Sequence, residues 1–279
     1  MSQGRLDGQV AWISGAARGM GLGICEAFAA EGARICVADV DEELGRAVAT
    51  RLEKRGVEAM FSRCDVGVGE DVRDSIAATV ERFGGLQNIV NCAAVGATGY
   101  LHEMTEAQWD RLMAINVKSI FFSIKYGVEH LTKHAHSYVV NIGSISSFVA
   151  QVDTPAYTTS KGAVLLLSQS IAVDYAHLGL RCNCVCPGIS DTPGLQSYYS
   201  RVPEGDRILG ERIKRVPLNR LIQPAEVGKS VVFLSCEESS GITGTSLTVD
   251  GGYTSVAEWN ADAVTQNPRQ DSREDVSCD

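Results

Sequence analysis

Val10-Ala-Trp-Ile13 is followed at once by Ser14-Gly-Ala-Ala-Arg-Gly-Met-Gly-Leu-Gly23. The short apolar run predicts a buried strand, the glycines a tight turn, and the stretch after them the start of a helix. In that arrangement Gly15 permits the turn, Gly19 removes a Cβ where a pyrophosphate has to approach, and Gly21 lets the helix pack closely on the strand. Backbone N–H groups and the helix dipole then face the phosphates, and Arg18 and Met20 lie in the same turn. The glycines are spaced Gly-x-x-x-Gly-x-Gly, so the standard Gly-x-Gly-x-x-Gly fingerprint is not matched and an ordinary packing turn is the competing reading. A second feature favours the nucleotide: Asp39 ends the next strand, 18 residues after Gly21. A carboxylate there accepts hydrogen bonds from the adenosine ribose hydroxyls and repels a 2′-phosphate. Arg18 is the one cation that opposes this, and the balance predicts NAD rather than NADP.

Outward from this motif, strand-like apolar runs at 10–13, 34–39, 58–64, 88–91, 137–142, 181–186 and 246–249 alternate with amphipathic stretches near 22–31, 42–55, 70–83, 106–132, 155–178 and 224–236. Regular alternation of buried β-branched strands with helices predicts an α/β protein with a doubly wound, Rossmann-like parallel sheet in a single domain, residues 5–253. Residues 254–279 are polar with little periodicity and are expected to form a frayed tail, or an arm docking on a neighbouring subunit through Trp259.

The 279 residues are 44% apolar and 21% charged, enough to bury a full core and incompatible with disorder or a coiled coil. The net charge of −9 disfavours nucleic acid and anionic membranes as partners. The N-terminal residues lack the apolar run of a secretion signal, and no stretch reaches the roughly 18 apolar residues of a membrane helix, so a cytoplasmic protein is expected. In that compartment the nine cysteines stay reduced. Cys182, Cys184 and Cys186 alternate and would share one face of a strand. Without a second ligand pair or histidines at finger-like spacing, small buried side chains are the better reading than a metal site, and no metal is expected.

Tyr157-Thr-Thr-Ser-Lys161 lies just inside a helix that Thr154 can cap and Pro155 can open. Tyr157 and Lys161 are i and i+4, hence on one helical face. A phenol beside an ammonium is suited to proton transfer near neutral pH, because the cation favours the phenolate. Alone, Tyr-x-x-x-Lys is common by chance. Three surroundings give it weight: Ser144, 13 residues before Tyr157 and directly after a strand; Asn116, a polar interruption of an apolar helix; and Pro187-Gly188 after another strand end, succeeded by Thr192. Ligands of open α/β sheets bind outside the carboxyl ends of the strands, so these pieces converge on one crevice.

With these residues in place, the chain resembles the compact, single-domain short-chain dehydrogenase/reductase family over about residues 5–253. Asn116, Ser144, Tyr157 and Lys161 match its catalytic tetrad. Gly15, Arg18, Gly19, Met20, Gly21, Asp39, Asp65, Val66, Asn91, Ala93, Pro187, Gly188, Ser190 and Thr192, with Tyr157 and Lys161, match its cofactor positions. Ser14 stands where the family usually has Thr, Cys92 and Ala94 depart from its Asn-Asn-Ala-Gly element, and Ser190 replaces an aliphatic residue. Val249-Asp-Gly-Gly252 is similar to its terminal strand. The resemblance implies reversible hydride transfer between a nicotinamide and a carbinol or carbonyl carbon. In it Tyr157 exchanges the hydroxyl proton, Ser144 holds the same oxygen, Lys161 binds the nicotinamide ribose and assists Tyr157, and Asn116 links Lys161 to water. It also implies a homotetramer, which the nearly all-apolar stretch 155–178 fits.

The segments expected to wall the substrate, 146–154 and 194–215, are rich in polar residues, with Arg201, Arg207 and Arg212 available for an anionic group. A small hydrophilic secondary alcohol is therefore expected: a polyol, a sugar derivative or a hydroxy acid. The alternatives are a small cyclic or aryl alcohol stacking on Tyr198 or Tyr199, an NADPH-dependent carbonyl or oxoacyl reductase, and a non-catalytic redox sensor on the same fold.

Overall fold

The computed structural model describes residues 4–256. Seven strands form one sheet: β1 (Val10–Ser14), β2 (Arg34–Asp39), β3 (Ala59–Arg63), β4 (Asn88–Asn91), β5 (Ser137–Ile142), β6 (Leu180–Pro187) and β7 (Ser246–Val249). Their spatial order is β3-β2-β1-β4-β5-β6-β7 and every pairing is parallel. The order reverses between β1 and β4, and the crevice above that point is where an open α/β sheet receives its ligand.

Helices α1 (Gly19–Ala30), α2 (Glu42–Glu53) and α9 (Pro224–Leu234) cover one face; α3 (Gly69–Phe83), α5 (Ser119–Leu131) and α6 (Pro155–Tyr175) cover the other. The alternation of β1 shows how one strand serves both layers. Ala11 and Ile13 join the core with Ile24, Phe28 and Val231, while Val10 and Trp12 join Ile76, Ile120 and Val139. The buried Trp12 Nε1 donates to Ser75 Oγ at 2.8 Å, so its polar edge is satisfied. Cys182, Cys184 and Cys186 all lie in the second core, on one face of β6 as their alternation predicts.

Two local expectations are corrected. The stretch 106–132 is not one helix. It is α4 (Glu106–Met113), a π-helical turn at Ala114–Lys118 and then α5. The wider turn shifts the helical phase, so that neighbouring Ile115 and Asn116 are both buried. Thr154 precedes α6, but its side chain caps nothing. With φ −131° and ψ 39°, its Oγ1 turns back to donate to the Gln151 carbonyl at 3.2 Å. Pro155 does open the helix. Two further helices, α7 (Pro193–Tyr199) and α8 (Gly205–Lys214), follow β6 and pack around Ile189, Tyr199, Leu209 and Val216, forming a small lid core.

No helix among the described residues is long and apolar enough to cross a membrane. Of the stretch 254–279, the described part ends at 256. Thr254 is tied down there, its amide and hydroxyl donating to Asp250 Oδ2 at 2.7 and 2.6 Å. Trp259 lies outside the described residues.

Candidate active site

The glycine turn closes β1 onto α1 as its residue types require. Gly15 (φ +64°) and Gly19 (φ +53°) occupy backbone conformations that strain an L side chain. A Cβ at Gly15 would sit 2.7 Å from Ala93 Cα, and one at Gly21 would lie 2.1 Å from the Gly15 carbonyl oxygen. Ser14 Oγ accepts from the amides of Cys92 and Ala93 at 3.1 and 3.2 Å, fixing the segment where Cys92 and Ala94 depart from the family pattern. Helix α1 begins with no side-chain cap and no acidic residue in its first turn, so its leading amides face the crevice without a side-chain acceptor. Thr192 caps α7 by accepting from the Leu195 amide at 3.2 Å, and its Cβ lies 3.5 Å from where a Gly19 Cβ would be.

Asp39 is buried. Its Oδ2 accepts from the Ala17 amide at 2.9 Å and its Oδ1 from the Asp41 amide at 3.0 Å, so the carboxylate is locked against the glycine turn. Arg18 is exposed and has no side-chain partner among the described residues, while Met20 packs against the first core. Asp65 turns its Oδ1 onto the Gly67 amide at 2.9 Å, and Val66 is buried beside it. Asn91 behaves differently: its side chain donates across the sheet to Asn141 Oδ1 at 2.8 Å. Gly188 follows Pro187 where a Cβ would come within 2.8 Å of Asp250 Cα, and Ser190 Oγ donates to the Gly188 carbonyl at 3.0 Å. The side-chain-free cradle, the open helix start and the adjacent carboxylate together fit a dinucleotide.

Beside this cradle the four candidate catalytic residues are tied into one network. Tyr157 occupies the first turn of α6, with Lys161 Nζ 5.7 Å from its ring centroid. Lys161 is 3% exposed, and its ammonium donates to the Ile142 carbonyl at 2.7 Å, which anchors it to the end of β5 two residues before Ser144. Ser144 Oγ accepts from the Ser146 amide at 3.1 Å, and its own hydrogen has no acceptor among the described residues. The Asn116 amide exchanges bonds with the Val95 backbone at 2.8 and 2.9 Å and donates to Ser160 Oγ at 3.0 Å. Ser160 in turn donates to the Tyr157 carbonyl at 2.7 Å.

Sequence reasoning missed two positioning serines. Ser160 was legible as a helix-interior hydroxyl three residues after Tyr157, able to return to its carbonyl. Ser147, whose Oγ donates to the Lys161 carbonyl at 2.7 Å, gave no signal. The two polar segments expected to wall the substrate meet at the mouth of the site, with a pairing that the sequence did not reveal: Gln151 Nε2 donates to Ser146 Oγ at 2.5 Å, and Arg212 donates to Gln151 Oε1 at 3.2 Å and to the Tyr199 hydroxyl at 2.6 Å. The thiols of Cys36 and Cys64 are poor nucleophiles, burial pushing them up to about 12.

A family model described as enoyl-(acyl carrier protein) reductase, of the short-chain alcohol dehydrogenase type, matches residues 15–254. The chain is a short-chain dehydrogenase/reductase. Such proteins are oxidoreductases that bind nicotinamide dinucleotides, which agrees with the cradle described above. Among its relatives are 2-(R)-hydroxypropyl-CoM dehydrogenase of Xanthobacter autotrophicus (37% identical over 89% of this chain and 99% of the relative) and cyclopentanol dehydrogenase of a Comamonas species (34%, over 90% and 99%). L-fucose dehydrogenase of Oryctolagus cuniculus is 38% identical, over 90% of this chain and 87% of the relative.

Proposed function

We propose that this short-chain dehydrogenase/reductase reversibly oxidises a small, hydrophilic secondary alcohol to the ketone with NAD. The observation that carries the substrate class is the polar run Ser146, Gln151, Arg212 and Tyr199 beside Ser144. These groups pair with one another, but a long acyl chain or steroid laid along them would strip water from the half-buried Arg212 guanidinium, whose Nε has no protein partner among the described residues, at about 1–3 kcal/mol for each donor left without one. Two of the relatives are named for polar substrates, a hydroxypropyl-CoM and L-fucose, which supports this reading, whereas the cyclopentanol dehydrogenase is named for a small cyclic alcohol, the alternative class.

When bound, the nicotinamide dinucleotide supplies hydride acceptance and donation. The chain's own residues handle the proton and the oxygen. The Ser144 hydroxyl donates to the substrate oxygen and orients it. The Tyr157 oxygen takes the carbinol proton as the C–H electron pair leaves as hydride, and returns it in the reverse direction. Lys161, fixed by Ile142, holds its positive charge beside Tyr157, and Asn116 and Ser160 hold the turn that carries both. Steady-state kinetics on polyols, hydroxy acids, sugars, cyclic alcohols, steroids and long-chain acyl substrates test the proposal. An efficiency for steroids or acyl chains far above that for the small polar alcohols overturns it.

Cofactor choice rests on the Asp39 carboxylate, which the Ala17 and Asp41 amides fix against the glycine turn and whose negative charge favours ribose hydroxyls over a 2′-phosphate. Wild-type kcat/KM is expected to favour NAD clearly, and Asp39→Ala to narrow that preference by about tenfold or more. A wild-type protein that prefers NADP would mean that exposed Arg18 governs the choice instead.

A homotetramer is part of the same reading. Leu166 and Val173 on α6 are 65% and 78% exposed, and Phe121 on α5 is 51% exposed, which is apolar area that a monomer leaves in water. Light scattering of the full-length protein is expected to give four chain masses. A monomer at micromolar concentration refutes it.

A further inference from the structure

We infer that Arg212 is an anion-recognition residue, and that the substrate is a small secondary alcohol bearing a single oxyanion group a few atoms from its carbinol carbon. This rests on the reaction proposed above and narrows its substrate.

Arg212 differs from the other cations of the lid in being half-buried without an ionic or aromatic partner, whereas Arg201, which bonds only the Ser197 carbonyl and hydroxyl, is exposed to water. Arg207 and Lys214 are ion-paired to Glu204 and Glu211 at 2.5 and 2.9 Å, and Arg215 lies over the Tyr253 ring. Arg212 is half-buried, yet its two hydrogen bonds go to neutral acceptors, the Tyr199 hydroxyl and Gln151 Oε1, and its Nε is unengaged among the described residues. A partly desolvated cation without a counter-charge is unfavourable, and its fork of five donors matches a carboxylate, sulfonate or phosphate in two-point contact. Tyr199 is buried in the lid core, so the guanidinium is held in place before any ligand arrives.

The position of Arg212 sets the spacing. Gln151 links it to Ser146 Oγ, and the Ser146 amide donates to Ser144 Oγ. The guanidinium therefore stands about one glutamine side chain beyond Ser146, whose neighbour Ser144 is the serine proposed to receive the substrate oxygen. Gln151 Oε1 occupies the donor that an arriving oxyanion would take. The competing reading is a structural latch, in which Arg212 and Gln151 merely fasten the lid to the 146–154 loop.

The test uses the full-length protein with NAD and three matched pairs: 3-hydroxybutanoate, 4-hydroxypentanoate and 5-hydroxyhexanoate, each against its primary amide. In the wild type, kcat/KM for the best acid is expected to exceed that for its amide by about 10² or more, mainly through KM. Arg212→Gln should bring this ratio near one, and Arg212→Lys should restore part of it. Gln151→Glu, which sets a carboxylate against Arg212, should also collapse it. A wild-type ratio near one, or a ratio that Arg212→Gln leaves unchanged because acid and amide fall together, overturns the inference. Ligand-observed NMR of 4-oxopentanoate and 4-oxopentanamide with protein and NAD separates the two levels of the argument. If no alcohol of the panel is oxidised, the proposed reaction fails. Oxopentanoate binding that disappears in Arg212→Gln then still supports the anion site, whereas equal binding to wild type and variant overturns it.

Discussion

Tyr157→Phe is expected to lower kcat by about 10² or more while leaving NADH affinity within a few-fold of wild type. The substitution removes one oxygen and keeps the ring over which Lys161 Nζ sits at 5.7 Å. The anchors that position it remain: Lys161 on the Ile142 carbonyl, and Ser160 bridging the Tyr157 carbonyl to Asn116. What disappears is the phenol oxygen proposed to take the carbinol proton, and proton transfer is a transition-state interaction. The loss should therefore appear equally in kcat and kcat/KM, with little change in KM. Stopped-flow kinetics of NADH formation and fluorescence titration of NADH measure the two halves of the expectation. Near-normal turnover in the variant removes Tyr157 from the proton path, and a large loss of NADH affinity shows that its hydroxyl serves binding instead.

The sheet could be read in advance because each strand carries its own signal. The runs at 34–39, 88–91, 137–142 and 246–249 are β2, β4, β5 and β7 to the residue, since apolar, β-branched stretches bounded by turn residues leave little choice. The π-turn at Ala114–Lys118 could not be read, because the apolar periodicity runs through it without a break. Its one trace is Asn116, a polar group whose burial demands partners, and those partners are the Val95 backbone and a serine on another helix. The same limit separates the lid arginines. Arg207 lies three residues from Glu204, a pairing that sequence spacing reveals, whereas Arg212 finds Gln151 across 61 residues, a contact that only the packed lid creates. Thr154 illustrates the reverse error, where a residue type suited to capping stands in the right place but the backbone entering α6 turns its hydroxyl elsewhere.

Gly15→Ala is expected to reduce stability by about 2–4 kcal/mol and to raise the Kd for NADH tenfold or more. Two effects add at this position. A left-handed backbone, here φ +64°, costs an L residue about 1–2 kcal/mol. The new methyl would also meet Ala93 Cα at 2.7 Å and the Ala93 nitrogen at 2.9 Å, both backbone atoms with no rotamer to escape into. Ala93 is not free to retreat, because its amide and that of Cys92 are held by Ser14 Oγ. Relief must therefore move the turn, and the turn carries the open amides of α1 on which the phosphates depend. Gly56→Ala is the matched control. Its φ is +82° and a Cβ there meets nothing within 4 Å, so it carries the backbone strain alone. That variant should lose about 1 kcal/mol and bind NADH as the wild type does. Thermal melts should place Gly15→Ala roughly 5–15 °C below the wild type, at about 2–4 °C per kcal/mol for a chain of this size. If the two variants melt together and bind NADH alike, close approach between the glycine turn and the end of β4 does not shape the cofactor site. A Gly15→Ala variant that melts lower yet keeps its NADH affinity would instead confine the glycine's role to packing.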